Sequence, residues 1–449
     1  MTRTVKRAYK FRCYPDAEQA ALLSRTFGCV RVVYNKALAA RSAAWKDEGR
    51  RISYVESSSL LTGWKKDPDL AWLSEVSSVP LQQALRHLQT AFMNFWAGRA
   101  KYPTFKSKKT HRDSAEFTYR AFNYQAPADT WTPKRHAAIN QQAGQPVLTL
   151  AKTTTALKVA WHRRVPAGTP STVTVSRDPA GRWFVSLLFE TEAPTAPEPV
   201  FEVTGVDMGQ TDTVVTSSTT KAGQVVVRKE PGLMPRKTLE TRLRRAQRTY
   251  ARTVKGSKNR AKAARKIAKI HAAIADARRD HLHNLSTTLV RESQAIGIED
   301  LDVRAMTVTA KGTVDNPGVD VKKKAASNRN NLDVGYRALR TMIEYKADWA
   351  GRQVVAVDRY YPSTRLCSTP GCDYIAGKLP TTIRSWSCPK CKTRHDRDIN
   401  AATNIRTAAT AEIACGSGIR LHGGHTTKDP GAPKRSRKLD GGDSASHAL

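Results

Sequence analysis

Four cysteines near the C-terminal end constrain this chain more than any other feature. They are spaced Cys367-x4-Cys372, then fifteen residues, then Cys388-x2-Cys391. Two paired knuckles at that spacing predict a tetrahedral thiolate site for one structural Zn²⁺. A loop of this size is too small to bury a core, so the metal would staple it. His395-Asp396-Arg397-Asp398 follows at once, and then Ile399-Asn400-Ala401-Ala402, which reads as an acidic helix start. Carboxylate oxygens are hard ligands and suit Mg²⁺ rather than Zn²⁺. A structural metal module is thus expected directly before a catalytic-metal carboxylate.

The chain has 449 residues, with 75 Lys+Arg against 39 Asp+Glu, a formal net charge of +36. That length allows several domains with cores of their own. The charge is a statement about partners rather than fold, and nucleic-acid phosphate is the natural counterpart. The polar N-terminus (MTRTVKRAYKF) has no apolar segment of the kind that directs export. No apolar run reaches the ~20 residues of a membrane helix. Cys13, Cys29 and Cys415 are scattered, unlike a disulfide framework, which fits a reducing cytoplasm.

Residues 4–14 alternate as a strand. Pro15-Asp16-Ala17-Glu18-Gln19 opens a helix whose apolar residues recur from Leu22 to Leu38, and a second helix is predicted near 80–97. Short strands are expected at 117–125, 147–151, 156–161, 172–176 and 182–190, and together with the first strand they suggest a small barrel. The Pro-rich stretch 191–200 reads as a linker. Beyond it, Val203–Asp207 is an apolar strand ending in an acid, and 213–218 and 224–228 return as a meander. Residues 236–279 predict a helical hairpin broken near Lys255-Gly256-Ser257, with sixteen Lys/Arg and two acids. Ala295–Glu299 is a second apolar strand ending in an acid. A helix at 333–350, a strand at 353–358 and a helix from about Asp398 complete the pattern. The Gly/Ser/Lys-rich tail from 413 to 449 is expected to be disordered.

Asp207 and Glu299 therefore stand at the carboxyl ends of buried strands, and Asp398 at a helix start. Clustered carboxylates repel one another unless cations neutralise them. Two Mg²⁺ ions would do so and would clamp the oxygens of an in-line phosphodiester displacement. Strand, meander, helix and strand in this order, with acids at these ends, is the ribonuclease-H/RuvC arrangement. Asp396, two residues earlier, is the runner-up for the third position, with helix capping the favoured reading of it.

The chain resembles the TnpB (OrfB) family of insertion-sequence proteins, relatives of compact type V CRISPR effectors. The resemblance rests on Tyr9-Lys10-Phe11-Arg12-x-Tyr14-Pro15, Gln19, Phe27-Gly28, Arg31, Tyr34-Asn35 and Tyr102-Pro103-Thr104-Phe105-Lys106-Ser107-Lys108. It continues through Gly205-Val206-Asp207-Met208-Gly209, Ile298-Glu299-Asp300-Leu301, Tyr345-Lys346-Ala347 and Pro362-Ser363. It ends in the cysteine quartet and Arg397-Asp398-x-Asn400-Ala401-Ala402-x-Asn404-Ile405. The resemblance implies an RNA-guided, Mg²⁺-dependent DNA endonuclease. A guide RNA would pair with target double-stranded DNA, and the protein would read a short flanking motif. It assigns the metal-binding catalytic triad to Asp207, Glu299 and Asp398, and a zinc ribbon to Cys367, Cys372, Cys388 and Cys391. The implied architecture is an α+β multidomain protein. A helical recognition unit (15–115) is inserted in a β-barrel wedge (1–14 and 116–200). A RuvC-like nuclease domain (201–365 and 392–412) follows and holds the ribbon (366–391).

For nucleic-acid contacts, Lys101, Lys106, Lys108, Lys109 and Arg112 are expected to hold backbone phosphates. Arg244, Arg245 and Arg248 on the basic hairpin are expected to face guide RNA or heteroduplex. Gln82 and Gln83 are candidates for pairing with adenine, unless they are plain exposed helix residues. Tyr9, Phe11, Tyr102 and Phe105 could stack on bases or simply pack. Three rivals remain at this point: a type V CRISPR effector of the same ancestry, a guided DNA-binding repressor that does not cut, and an unguided strand-transfer enzyme or junction resolvase.

Overall fold

The computed structural model describes residues 3–108, 111–133, 143–193, 195–380 and 382–415. The N-terminal half opens with β1 (Thr4–Cys13) and the helices α1 (Ala17–Glu48), α2 (Tyr54–Lys66) and α3 (Ser78–Trp96). Asp16 caps α1 through a reciprocal capping box with Gln19, and Ser53 caps α2 in the same way with Glu56. Five strands follow: β2 (Asp113–Thr118), β3 (Phe122–Gln125), β4 (Val147–Leu150), β5 (Thr172–Arg177) and β6 (Trp183–Glu192).

These strands form an open four-stranded sheet, β1-β6-β5-β2, and a separate β3-β4 ribbon. Among the described residues, hydrogen bonding therefore does not close the expected barrel. The segment expected as a strand at 156–161 contributes an isolated bridge, Cys13 to Val159. Its Leu157, Val159 and Trp161 are nonetheless buried. One apolar core joins the sheet, the ribbon and the helices, from Phe11 and Leu38 to Leu148 and Phe189. Burial of side chains, rather than a continuous strand ladder, holds this half together.

The second half begins with β7 (Phe201–Asp207), β8 (Asp212–Thr220) and β9 (Val225–Pro231). The helices α4 (Pro235–Thr238), α5 (Glu240–Arg252) and α6 (Lys258–Glu292) follow, and then β10 (Ser293–Glu299). The hairpin break falls at 253–257, where Gly256 takes φ +83°. After β10 come α7 (Val303–Met306), α8 (Val321–Val334), α9 (Tyr336–Ala350) and β11 (Gln353–Val357). Left-handed Gly335 (φ +80°) separates α8 from α9. The chain ends in β12 (Ser385–Ser387), β13 (Arg394–Asp396) and α10 (Arg397–Ala414). The tail expected to be disordered lies outside the described residues from 416 onward.

The second sheet has the order β11-β10-β7-β8-β9. β10 runs parallel to both β7 and β11, while β7, β8 and β9 form an antiparallel meander. Gly205 of β7 is directly opposite Gly297 of β10. α10 lies across this pair. A Cβ on Gly205 would come within 2.2 Å of the Ala402 carbonyl and 2.4 Å of the Arg406 amide nitrogen. A Cβ on Gly297 would meet the Ala409 Cβ at 2.7 Å. Helix and sheet therefore touch backbone to backbone, and Ala401, Ala402, Ile405 and Ala409 are fully buried there.

Gly205→Ala should lower the melting temperature by about 2–10 °C, because an overpacked site costs ~1–3 kcal/mol. Gly63→Ala, inside α2 with nothing within 4 Å of its added methyl, should instead stabilise slightly, since it removes backbone freedom from the unfolded chain. Thermal denaturation of both variants checks the opposite signs.

Candidate active site and metal centre

The chain geometry brings three acids to one end of the second sheet. Ile298 pairs with Val206, so Glu299 and Asp207 leave adjacent parallel strands at the same level. The contact at Gly205 and Gly297 sets the axial position of α10. Its first turn, carrying Asp398, therefore lies over the carboxyl ends of β7 and β10. Crevices at the carboxyl ends of parallel strands are the usual place for ligands in such sheets.

Asp207 is 9% exposed. Burial is the main force pushing its carboxyl well above the ordinary carboxylate range, and the charges of Glu299 and Asp398 add to it. Arg397 acts in the opposite sense. A buried carboxylate whose pKa is raised by two neighbouring acids is the arrangement expected where cations bind.

Glu299 and Asp398 also have side-chain partners. Ser363 donates its hydroxyl to Glu299. The Ser363 carbonyl in turn accepts from the side-chain amides of Asn400 (3.2 Å) and Asn404 (2.8 Å) on α10. Both asparagines are buried and also bind the Leu366 carbonyl at 2.7 Å, and Asn400 accepts from the Ser368 amide at 3.0 Å. The asparagines thus tie the loop that supports Glu299 to the helix that carries Asp398. Asp396 does not join the three acids. It caps α10, accepting from the amides of Asp398 and Ile399 at 3.1 Å each, and pairs with Lys229 at 2.7 Å. Asp398 has Arg384 at 3.4 Å.

The four cysteine sulfurs lie within 4.8 Å of one another, with Cys367 and Cys388 buried. Cys367–Cys391 and Cys372–Cys388 are 3.5 and 3.7 Å apart. A tetrahedron of ~2.3 Å Zn–S bonds has edges of about 3.8 Å, close to these two distances, so the quartet suits a zinc ion. The Thr393 hydroxyl, 3.4 Å from the Cys391 sulfur, leads a set of hydrogen bonds that hold that thiol down at about 5. The buried His395 ring stands 3.1 Å from the Cys367 sulfur through Nε2.

Ser363, Asn400, Asn404 and His395 carry no role in the sequence reading. Pro362-Ser363 and the Asn-Ala-Ala-x-Asn run are visible there as motifs. Only the fold shows that one supports an acid and the other ties the two segments together.

The proposed nucleic-acid contacts fare unevenly. Lys101, Lys108 and Arg112 are exposed, as are Arg244, Arg245 and Arg248 on α5. Lys109 lies outside the described residues. Lys106 is engaged within the fold: its ammonium sits 3.9 Å over the Tyr34 ring, its backbone is bound on both sides by Asn35, and burial lowers its pKa. Gln83 is corrected, since at 7% exposed it faces the core of the helical unit, whereas Gln82 is exposed. Phe11 is fully buried, and Tyr9 packs edge-on against Phe189 at 5.6 Å, so core packing accounts for both. Tyr102 and Phe105 remain exposed.

Comparison with known proteins agrees with this geometry. Residues 186–309 match the OrfB model of IS605-type elements, described as "Probable transposase". Residues 1–50 match the helix-turn-helix model of the same group, and residues 336–405 match the Cas12f1-like TNB domain. A Streptomyces pristinaespiralis protein named "Putative RNA-guided DNA endonuclease" is 51% identical over 94% of this chain and 93% of its own. The Escherichia coli K12 protein InsQ, of the same description, is 33% identical over 92% of this chain and 94% of its own. Among solved structures, a Cas12f1–sgRNA–target DNA complex superposes with a TM-score of 0.54 at 14% identity, covering 90% of this chain and 99% of that one. That likeness concerns the fold. With relatives this similar along almost the whole length, the chain belongs to the TnpB (OrfB) family of insertion-sequence proteins.

Proposed function

We propose that this protein is an RNA-guided DNA endonuclease whose single RuvC-like site cuts DNA selected by pairing with a bound RNA. The observation that carries the reading is the gathering of Asp207, Glu299 and Asp398 at one sheet end, where the buried carboxyl of Asp207 is raised by burial and by the charges of the other two. Three neighbouring acids held together by buried glycines and asparagines have a structural cost and no structural use unless they bind cations. The names of the relatives support guide RNA and target DNA as partners.

The three acids would hold two Mg²⁺ ions, which when bound supply a metal-activated water and charge stabilisation for the leaving oxygen. The chain's own residues prepare that chemistry. Burial of Asp207 keeps water from screening its charge. Ser363 fixes one oxygen of Glu299 and leaves the other free as a ligand. The first turn of α10 presents its partial positive charge to the acids and to a phosphate oxygen. Arg384, exposed beside Asp398, stands where an incoming strand would meet a cation. The exposed arginines of α5 and the cations Lys101, Lys108 and Arg112 supply sequence-independent grip. We read 1–14 with 116–200 as the wedge, 15–115 as the recognition unit, 201–365 with 392–412 as the nuclease domain and 366–391 as the zinc ribbon.

Asp207→Ala should abolish cleavage of a guided target while guide and target binding, read by gel shift, stay within about twofold. Parallel loss of binding would assign Asp207 a structural role. In metal-free protein, Asp207 is less acidic folded than unfolded, so the folded state holds its proton more tightly. Its charge therefore destabilises the fold at neutral pH, and the penalty disappears as pH falls toward the ordinary carboxylate range. Asp207→Asn should consequently melt higher than wild type at pH 7 without metal. Mg²⁺ should raise the wild-type melting temperature, by ~2.7 kcal/mol in stability at a hundredfold excess over its dissociation constant, and leave Asp207→Asn unmoved. Cys388→Ser should lower bound zinc from one ion per chain to well below one in a metal assay. Full retention would refute the ribbon.

A further inference from the structure

The helical unit carries an aromatic cleft of about 290 Å³ between the C-terminal turns of α1 and α3, lined by none of the three acids. Such a volume lies at the small end of ligand clefts, which run to ~300–1,000 Å³. Trp45 and Trp96 form its rim and are 54% and 49% exposed, far more than packing would leave bare. Phe95 and Tyr102 meet edge-to-face beside them at 5.3 Å, and the Tyr102 hydroxyl is fixed 2.8 Å from Ser42.

The floor of the cleft is Arg41. It is 5% exposed, and its Nε donates to Ser57 at 3.0 Å. Its Nη1 and Nη2 are buried without a hydrogen-bond partner. The guanidinium rests over Phe92 at 5.2 Å. Two orphaned donors on one buried cation are costly to the isolated protein. The exposed side chain of Arg51 lies across both indoles, 5.4 Å from Trp45 and 5.3 Å from Trp96. A planar cationic group thus already lies within cation–π reach of both indoles.

We propose that this cleft captures one unpaired guanine of a single strand. The base stacks between Trp45 and Trp96 after Arg51 swings aside. Its O6 and N7 edge then accepts the two free donors of Arg41, the commonest bidentate pairing of arginine with a base. The aromatic walls select a flat ring over a bare carboxylate or phosphate, which would gain nothing from stacking. The neighbouring Arg51 and the chain's overall positive charge favour a polyanion over a protein partner. The inference rests on the reading of this chain as a nucleic-acid enzyme and adds a binding site that the acids and the ribbon do not provide. The strand could be RNA or DNA.

The test measures fluorescence anisotropy of labelled oligouridine octamers with one central guanine or one central adenine, and of their oligothymidine counterparts. Full-length protein is used at high salt, which suppresses non-specific phosphate binding. Wild type should prefer guanine over adenine by at least about fivefold. Trp96→Ala should weaken the guanine octamer about five- to a hundredfold. Arg41→Met should level the two affinities while preserving stacking. If Trp96→Ala melts abnormally, the more exposed Trp45→Ala replaces it. A loss confined to the uridine series assigns the strand to RNA, and one confined to the thymidine series assigns it to DNA. Equal affinity of wild type for both bases overturns the proposal. So does a Trp96→Ala variant that binds normally, including one whose change appears only as a shift from dimer to monomer in size-exclusion chromatography. Guided cleavage assayed on the same wild-type preparation is a separate readout, so the guanine site and the nuclease reading can fail independently.

Discussion

The contact between α10 and the second sheet is the constraint on which the site depends. A helix packed on side chains keeps some freedom to slide and tilt. Here Gly205 and Gly297 remove the intervening side chains, and the helix backbone rests directly on the strands. Close packing without voids allows only a small set of relative positions. The position chosen sets the first turn of α10, and so Asp398, at the ends of β7 and β10. Precision at the acids is thus obtained from a contact one helical turn away.

That precision opposes an electrostatic tendency to fly apart. Asp207 is buried and sits beside two further acids, and the metal-free fold has to absorb their repulsion. The compensation is distributed. Arg397 lies close enough to act on Asp207, Ser363 donates to Glu299, and Arg384 approaches Asp398. Asp396 spends its oxygens on the helix cap and on Lys229. It therefore adds little free charge to the cluster despite standing two residues from Asp398. Two neighbouring aspartates in one short motif end with different chemistry because one precedes the helix and the other lies inside its first turn.

Much of this was legible in the residues. Apolar runs ending in Asp207 and Glu299 predicted their strands, and cysteine spacing predicted the quartet that the fold assembles. The boundaries of α3, β8, β10 and β11 agree with the periodicity to within a few residues. What escaped was tertiary. Gln82 and Gln83 are neighbours in sequence, and only packing of α3 on α1 decides that Gln83 turns inward. Lys106 sits among basic and aromatic residues that suggest phosphate binding, and only the fold shows its ammonium over the Tyr34 ring. The strands expected at 147–151, 172–176 and 182–190 are present, whereas 117–125 is split into β2 and β3 and 156–161 is no strand. Hydrogen-bond closure depends on register between distant segments, which composition does not encode. Helix α8 has a weak apolar face, and its separation from α9 hinges on one left-handed glycine.

The asparagine ties have a consequence for how this region can change over time. The chain leaves the second sheet through Ser363–Ser368 and returns through His395 and Asp396, and both ends of that excursion are anchored to α10 or its cap. Between the two knuckles Arg384 reaches Asp398 at 3.4 Å, whereas 373–380 make no hydrogen bond to the three acids among the described residues. Insertions, deletions or a grafted binding element placed there would be mechanically insulated from the chemistry, so the excursion is the natural place for descendants of this fold to diversify without retuning the cut.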